Sequence, residues 1–158
     1  MKHHKKLKNA YLVALTNREL YEYGYPDGSC QLIHATNSTQ ARCIYKKQNF
    51  LDDKASSLPY KRYEEEDLYF FEGYEKSKRD IERELEYRKW YSDMVDMVKN
   101  NPNAKVYIHS GQWGAYWGPN YCEYTSYKDK AGVYEIEDAW NAVSHVGLEK
   151  RISFELIK

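Results

Sequence analysis

The sequence predicts a single α+β domain over residues 1–158, with a mixed or antiparallel sheet and about three helices. Three observations predict this class. Short apolar runs typical of strands recur along the chain, helical patterns stand between them, and one helical pattern extends over residues 75–100. A chain of 158 residues can bury a core without disulfides or a structural metal.

The first elements are predicted to be a strand pair. The apolar runs at 10–16 and 30–35 indicate strands, and Pro26, Asp27 and Gly28 between them favour a turn. The two strands are therefore expected to form a hairpin. Residues 1–9 precede them as a basic, flexible N-terminus that carries four lysines, namely Lys2, Lys5, Lys6 and Lys8.

A short helix and a third strand come next. Thr36, Asn37 or Ser38 is a candidate N-cap for the helix, because their side-chain oxygens accept hydrogen bonds from the first free N–H groups. Residues that share one face at helical spacing follow them, namely Ala41, Ile44, Tyr45 and Gln48. The aromatic run at 68–71 indicates a strand.

The long helix is predicted over residues 75–100, which contain no Gly or Pro. Its second half carries an apolar stripe, whereas its first half offers only Ile81 and Leu85. The first turns are expected to be solvated and held by ion pairs, or to protrude and pair with a second copy as a homodimer. The stripe consists of Tyr87, Trp90, Tyr91, Met94, Val95 and Val98.

The C-terminal part is predicted to begin and end with strands, at 106–110 and 151–157, on either side of a helix. Residues 135–150 have the apolar periodicity of that helix. Gly147 stands where a left-handed residue would end it.

Composition narrows the classes of function. Lys plus Arg and Asp plus Glu number 24 each, so net charge does not steer the chain toward nucleic acid or anionic lipid. No nucleotide-binding, catalytic or metal-ligand signature is present, so we expect no enzyme, cofactor or metal. Three widely spaced cysteines and no apolar span indicate a cytoplasmic protein without a membrane segment.

Tyrosine is the compositional anomaly, with 17 Tyr against 4 Phe. Many aromatics fall in the turn-rich segment 113–127, which allows two interpretations. They can cover one another as core, or form a binding surface of Trp113, Tyr116, Trp117, Tyr121 and Tyr127, in which Trp113, Tyr116 and Tyr121 are the expected partner-binding residues. Strand alternation places Tyr116 on the face opposite Trp117, and we expect Trp117 and Tyr124 to be inside.

An acidic run lies within a negatively charged stretch. Residues 52–86 hold twelve acidic and seven basic residues, and the core of the stretch is Glu64, Glu65, Glu66 and Asp67. Such a run is usually a solvated face, but it can also bind a basic surface on a nucleic-acid enzyme. On that second interpretation, neutralising all four is expected to slow association while leaving folding nearly intact.

One segment resembles a known group of sequences. Its pattern is W-x-P-N-x-x-x-Y-T followed by A-G-x-Y and an amphipathic helix, carried by Trp117, Pro119, Asn120, Tyr124, Thr125, Ala131, Gly132, Tyr134 and Ala139. It resembles a segment of small uncharacterised bacteriophage and mobile-element proteins, as does the N-terminal strand followed by IHATNSTQARCIYKK. That segment commonly has Arg at Gly118 and Gly at Glu123. The likeness covers about 70 of the 158 residues.

The resemblance implies a phage-type protein that binds and inhibits a host defence or DNA-processing protein, for example an anti-CRISPR protein acting on a CRISPR nuclease. The alternative is an accessory protein that binds nucleic acid directly. In that case the lysines near the N-terminus would contact phosphates and the Trp and Tyr rings would stack on bases.

Overall fold

A computed structural model describes residues 4–23 and 30–158. The predicted α+β class and the long helix are confirmed: the described residues form three α-helices and two antiparallel sheets. The predicted turn at 26–28 lies outside the described residues. By its internal contacts, the chain divides into two compact units, 1–83 and 84–158. The boundary falls inside the long helix, where no Gly or Pro marks it.

The first unit is built around a central strand. Its strands and first helix are β1 Lys5–Ala14, β2 Cys30–Ala35, α1 Ser38–Gln48, β3 Tyr60–Arg62, β4 Leu68–Phe71 and β5 Tyr74–Ser77. The strand order is β2-β1-β4-β5, and β3 also pairs with β1. The strand β1 is buried on both faces. Tyr11 and Val13 pack with α1 on one face, whereas Leu12 and Ala14 pack in a second cluster around Leu20 on the other.

The predicted hairpin partners β1 and β2 pair antiparallel, from Asn9 opposite Ala35 to Ala14 opposite Cys30. Residues 5–9, expected to be flexible, are instead the first half of β1. Lys5, Lys6 and Lys8 pair with β4 across an irregularity in the register. Strand pairing is compatible with lysines there, because their side chains are exposed and do not interfere with the backbone hydrogen bonds.

The first α-helix begins as predicted, since the Asn37 side chain accepts a hydrogen bond from the Gln40 N–H at 2.9 Å. At its other end, the N–H groups of Phe50 and Leu51 donate to the carbonyls of Lys47 and Lys46. This is the Schellman arrangement, in which the residue in the left-handed conformation is usually Gly. Here Phe50 holds that position, with a φ of 52° and 93% of its surface exposed.

Replacing Phe50 by Gly is therefore expected to raise the free energy of unfolding by about 1 kcal/mol, because Gly adopts the left-handed conformation without a Cβ clash. Chemical denaturation measures the change. Phe50→Ala is the matched control, since it removes the exposed ring and keeps the Cβ. Equal stability of the Gly and Ala variants would contradict the conformational explanation.

The long helix α2 spans Lys78–Asn100. It begins three residues later than predicted because residues 74–77 form β5. Ser77 then caps the helix by accepting the Asp80 N–H at 3.1 Å. The expectation that its first turns are solvated or protruding is wrong for Ile81, which is fully buried. Ile81 therefore offers no surface to a second copy, whereas Leu85 remains exposed.

The second unit contains the rest of α2 and a sheet of order β10-β6-β7-β8, with β9 also paired to β6. Its core joins β6, α3 and β10 to Met94 of α2. The Trp90 indole N–H donates to the Ile152 carbonyl at 2.9 Å, which attaches α2 to β10. The remaining elements are β6 Lys105–Ser110, β7 Ala115–Trp117, β8 Tyr124–Thr125, β9 Tyr134–Glu135, α3 Ile136–Val143 and β10 Ile152–Leu156.

The prediction for the end of α3 is wrong. The helix ends at Val143, and Gly147 has an extended φ of −78°. Its Cα lies next to the Glu149 carboxylate, which would have to move to admit a Cβ at Gly147. The left-handed residue before β10 is Arg151, with a φ of 46°.

Candidate functional site

A continuous run of aromatic rings lies in the second unit, from the turn before β7 to β8. We name the four rings Trp113, Trp117, Tyr121 and Tyr124 the aromatic surface. Trp117 lies 6.3 Å from both Tyr121 and Tyr124, and Trp113 lies 6.2 Å from Tyr124, measured between ring centroids. Trp113, Tyr121 and Tyr124 expose 61%, 46% and 48% of their surface.

Trp117 is the anchored member of the aromatic surface. It is half-buried and packs against the core of the second unit. Its carbonyl accepts a hydrogen bond from the Gly132 N–H at 2.9 Å. Tyr124, which the sequence placed inside with Trp117, is exposed instead. Its strand β8 has only two residues and pairs with β7 alone, so little packs over the ring.

Tyr134 holds the loop beneath these rings. Its buried hydroxyl donates to the Gly118 carbonyl and accepts the Tyr121 N–H at 3.0 Å. The rings of Tyr121 and Tyr134 stack at 4.5 Å. Gly132 lies directly against the Tyr134 hydroxyl, where any Cβ would clash. One buried hydroxyl therefore fixes both the backbone of the loop and the position of the Tyr121 ring.

The loop is also conformationally strained. Asn120, Tyr121 and Glu123 have φ values of 57°, 59° and 62°, in the left-handed region that non-Gly residues avoid. Strain of this kind persists only where surrounding contacts hold it, and it concentrates at functional sites.

Carboxylates lie around the aromatic surface. Partial burial, followed by the neighbouring Asp138 carboxylate, raises the pKa of Tyr121. Glu123 is exposed within the loop itself. Lys128 forms an ion pair with Glu155, and the Lys130 ammonium lies 4.9 Å from the Tyr127 ring centroid. The surroundings of the rings thus combine apolar faces with exposed charges, among them the carboxylates of Glu123 and Asp138.

Tyr116, a predicted anchor, lies elsewhere. As strand alternation predicts, it faces away from Trp117, and its ring lies 5.1 Å from His109 and 6.0 Å from Tyr107. Its hydroxyl donates to Glu155 at 3.0 Å. Tyr116 is half-buried and already bonded, so it does not belong to the aromatic surface.

The acidic run is divided by the structure. Glu64 and Glu65 are exposed, although Glu65 bonds to Arg79 at 3.0 Å. Glu66 is partly buried and lies 3.1 Å from the same guanidinium. Asp67 is only 3% exposed, so its predicted role in partner binding is wrong. The first two residues of the run remain available to a partner.

Asp67 fills a gap in the first sheet. The strand β1 pairs with β4 through Lys8 and with β3 from Tyr11, and the Ala10 N–H lies between these two partners. That N–H donates to Asp67 Oδ1 at 2.8 Å. Arg62 binds both carboxylate oxygens at 2.5 Å, and Lys6 Nζ lies 2.7 Å from Oδ2.

The sequence did not identify Tyr134 as a member of this site. Its A-G-x-Y context was the available signal, because a Gly two residues before a Tyr permits close backbone approach. Among residues 4–23 and 30–158, no group of three or more His, Cys, Asp or Glu could hold a metal ion. Within the same ranges, no helix has the length and apolarity to cross a membrane.

Comparison with protein-family models, with curated proteins and with solved structures finds no match to this chain.

Proposed function

We propose that this chain is a phage-type protein-binding inhibitor of a host defence or DNA-processing protein, for example an anti-CRISPR protein that blocks a CRISPR nuclease. The observation that carries the proposal is the exposure of Trp113, Tyr121 and Tyr124, with Tyr121 on a strained loop held by buried contacts. None of the three rings is a buried member of the core of the unit, and Tyr121 contacts that core by stacking on Tyr134.

Trp and Tyr rings suit a protein partner because they bury a large area for few rotatable bonds. Here the Tyr134 hydroxyl fixes the loop backbone, and stacking on Tyr134 fixes the Tyr121 ring before any partner arrives. Such pre-organisation lowers the entropy lost on binding. The aromatic surface therefore has the properties of an interface hot spot.

The charges favour a basic partner. The Glu123 carboxylate is exposed, and so is the Asp138 carboxylate near Tyr121. Each can pair with an Arg or Lys side chain of the partner, and the same cation can contact the aromatic rings. In the first unit, exposed Glu64 and Glu65 add negative charge. Basic surfaces of this kind line the nucleic-acid channels of nucleases, which supports such an enzyme as the target.

The alternative, direct binding of nucleic acid, has less support. Lys6 is ion-paired with Asp67, and carboxylates beside the rings repel phosphates. Titration with single-stranded DNA at about 50 mM salt tests it directly. Tight binding that weakens steeply with added salt would establish the alternative and contradict a purely protein-directed function.

Truncating Trp113 to Ala is expected to weaken partner binding by about 2 kcal/mol or more and to leave stability nearly unchanged, because the ring is a mostly exposed anchor. The wild-type chain first captures its partner from host extract, and calorimetric titration then measures both affinities with purified components. A CRISPR nuclease is the first candidate, with cleavage of target DNA as the readout.

Tyr74→Ala is the matched control, since Tyr74 is an exposed aromatic residue of the first unit. We expect this control to bind like the wild type. Equal affinities for the Trp113 and Tyr74 variants, with both folded, would show that the aromatic surface is not the interface.

A further inference from the structure

The outer face of α2 in the second unit carries a surface hollow of about 450 Å³. Arg88, Tyr91, Ser92 and Val95 line it, and every other lining residue also belongs to α2. These four residues have the spacing i, i+3, i+4 and i+7. That is the spacing of a hole in knobs-into-holes packing, which receives one side chain of a facing helix.

The same face supplies a knob. Tyr91 is 42% exposed, and its ring is positioned by Tyr87 at 6.2 Å and Trp140 at 5.1 Å between centroids. These contacts restrict the ring before association, so inserting it into a hole loses little rotamer freedom. Ser92 is the smallest residue around the hollow, and a small side chain allows helix axes to approach closely.

The charges on this face are self-complementary in one orientation. Arg88 and Asp96 stand four residues before and four residues after Ser92. When two copies of α2 cross antiparallel at Ser92, Arg88 of each copy faces Asp96 of the other. Arg88 also pairs with Glu84 on its own helix, so it would bridge two carboxylates in such a pair.

We propose that this chain forms a two-fold homodimer through α2, with Tyr91 of each copy seated in the hollow of the other and Arg88 paired with Asp96 across the axis. The contact extends over about four helical turns, which places its buried area at or below the lower end of the range for specific interfaces. The dimer is independent of the proposed inhibitory function.

Sedimentation velocity over a concentration series tests the dimer with the full chain. The wild type is expected to pass from monomer to dimer as concentration rises. Tyr91→Ala is expected to weaken association at least about tenfold, because the knob is lost. Trp113→Ala, which removes an exposed ring outside α2, is expected to leave association unchanged.

Charge reversal provides a second test that does not depend on packing of Tyr91. Arg88→Glu and Asp96→Arg are each expected to weaken association about tenfold, and the double variant is expected to restore it within about threefold. Circular dichroism confirms that each variant is folded. A wild type that stays monomeric at every concentration overturns the proposal, and so does a double variant no better than the single reversals.

Discussion

Replacing Asp67 by Asn is expected to lower the free energy of unfolding by about 3 kcal/mol, because the change leaves Arg62 and Lys6 facing an amide that cannot balance their charge. Both cations are partly exposed to water, so the expected loss of stability is at the lower end of the range for breaking a buried ion pair. Glu64→Gln is the matched control from the same acidic run, and its exposed side chain predicts a change within about 0.5 kcal/mol. Denaturant unfolding separates the two, and equal stabilities would contradict the structural role of Asp67.

Acid sensitivity gives an independent check on Asp67. Burial by itself raises the pKa of a carboxyl, but hydrogen bonds from Arg62, Lys6 and the Ala10 N–H prevail and lower it from 3.8 to about 2. The folded state thus favours the ionised form of Asp67 more strongly than the unfolded state does. The stabilisation, about 2.5 kcal/mol, is complete above about pH 4 and is lost as pH falls toward 2. Asp67→Asn should lack this part of the acid transition.

The role of Asp67 could not be predicted from the sequence. It stands at the end of a run of three glutamates, and its neighbours in the chain give no sign that one carboxylate of the four is buried. Its burial depends on Ala10, which is 57 residues away. The register at the point where β1 changes partners depends on contacts distant in sequence, so local sequence patterns do not predict it.

Elements with strong local signals were predicted well. Strands β2 and β4 have the predicted bounds, and Asn37 caps α1, because apolar runs and capping side chains act over a few residues. Strand β5 was missed, since its sequence YEKS is polar and its pairing with β4 decides its conformation. The prediction from Gly147 was wrong, since α3 ends before it, at Val143, and Gly147 is extended.

The aromatic segment was predicted in part. Its turn-rich sequence left open whether the rings are core or exposed, whereas alternation correctly separated Tyr116 from Trp117. It could not show that Tyr134, from a later strand, binds the loop backbone, or that Tyr124 is exposed. Whether a ring in irregular structure is exposed depends on which residues pack over it. The spacing of residues in the sequence does not reveal those contacts.

Replacing Trp117 by Ala is expected to lower the free energy of unfolding of the second unit by about 3 kcal/mol, because the ring packs against the core and supports both Tyr121 and Tyr124. Partner binding is expected to fall as well, since the two tyrosines lose the ring that orients them. Denaturant unfolding and binding titration, run side by side, measure both effects.

Trp117→Phe separates packing from hydrogen bonding. The Trp117 indole N–H is buried, and no described residue accepts a hydrogen bond from it. Phenylalanine refills most of the space and removes no partnered donor, so this variant is expected to lose less than half as much stability as Trp117→Ala.

Tyr116→Phe, on the opposite face, loses only the hydrogen bond to Glu155 and should change stability by about 1 kcal/mol or less without affecting partner binding. A Tyr116 variant that weakens binding, beside a Trp117→Ala variant that does not, would place the interface on the other face of β7.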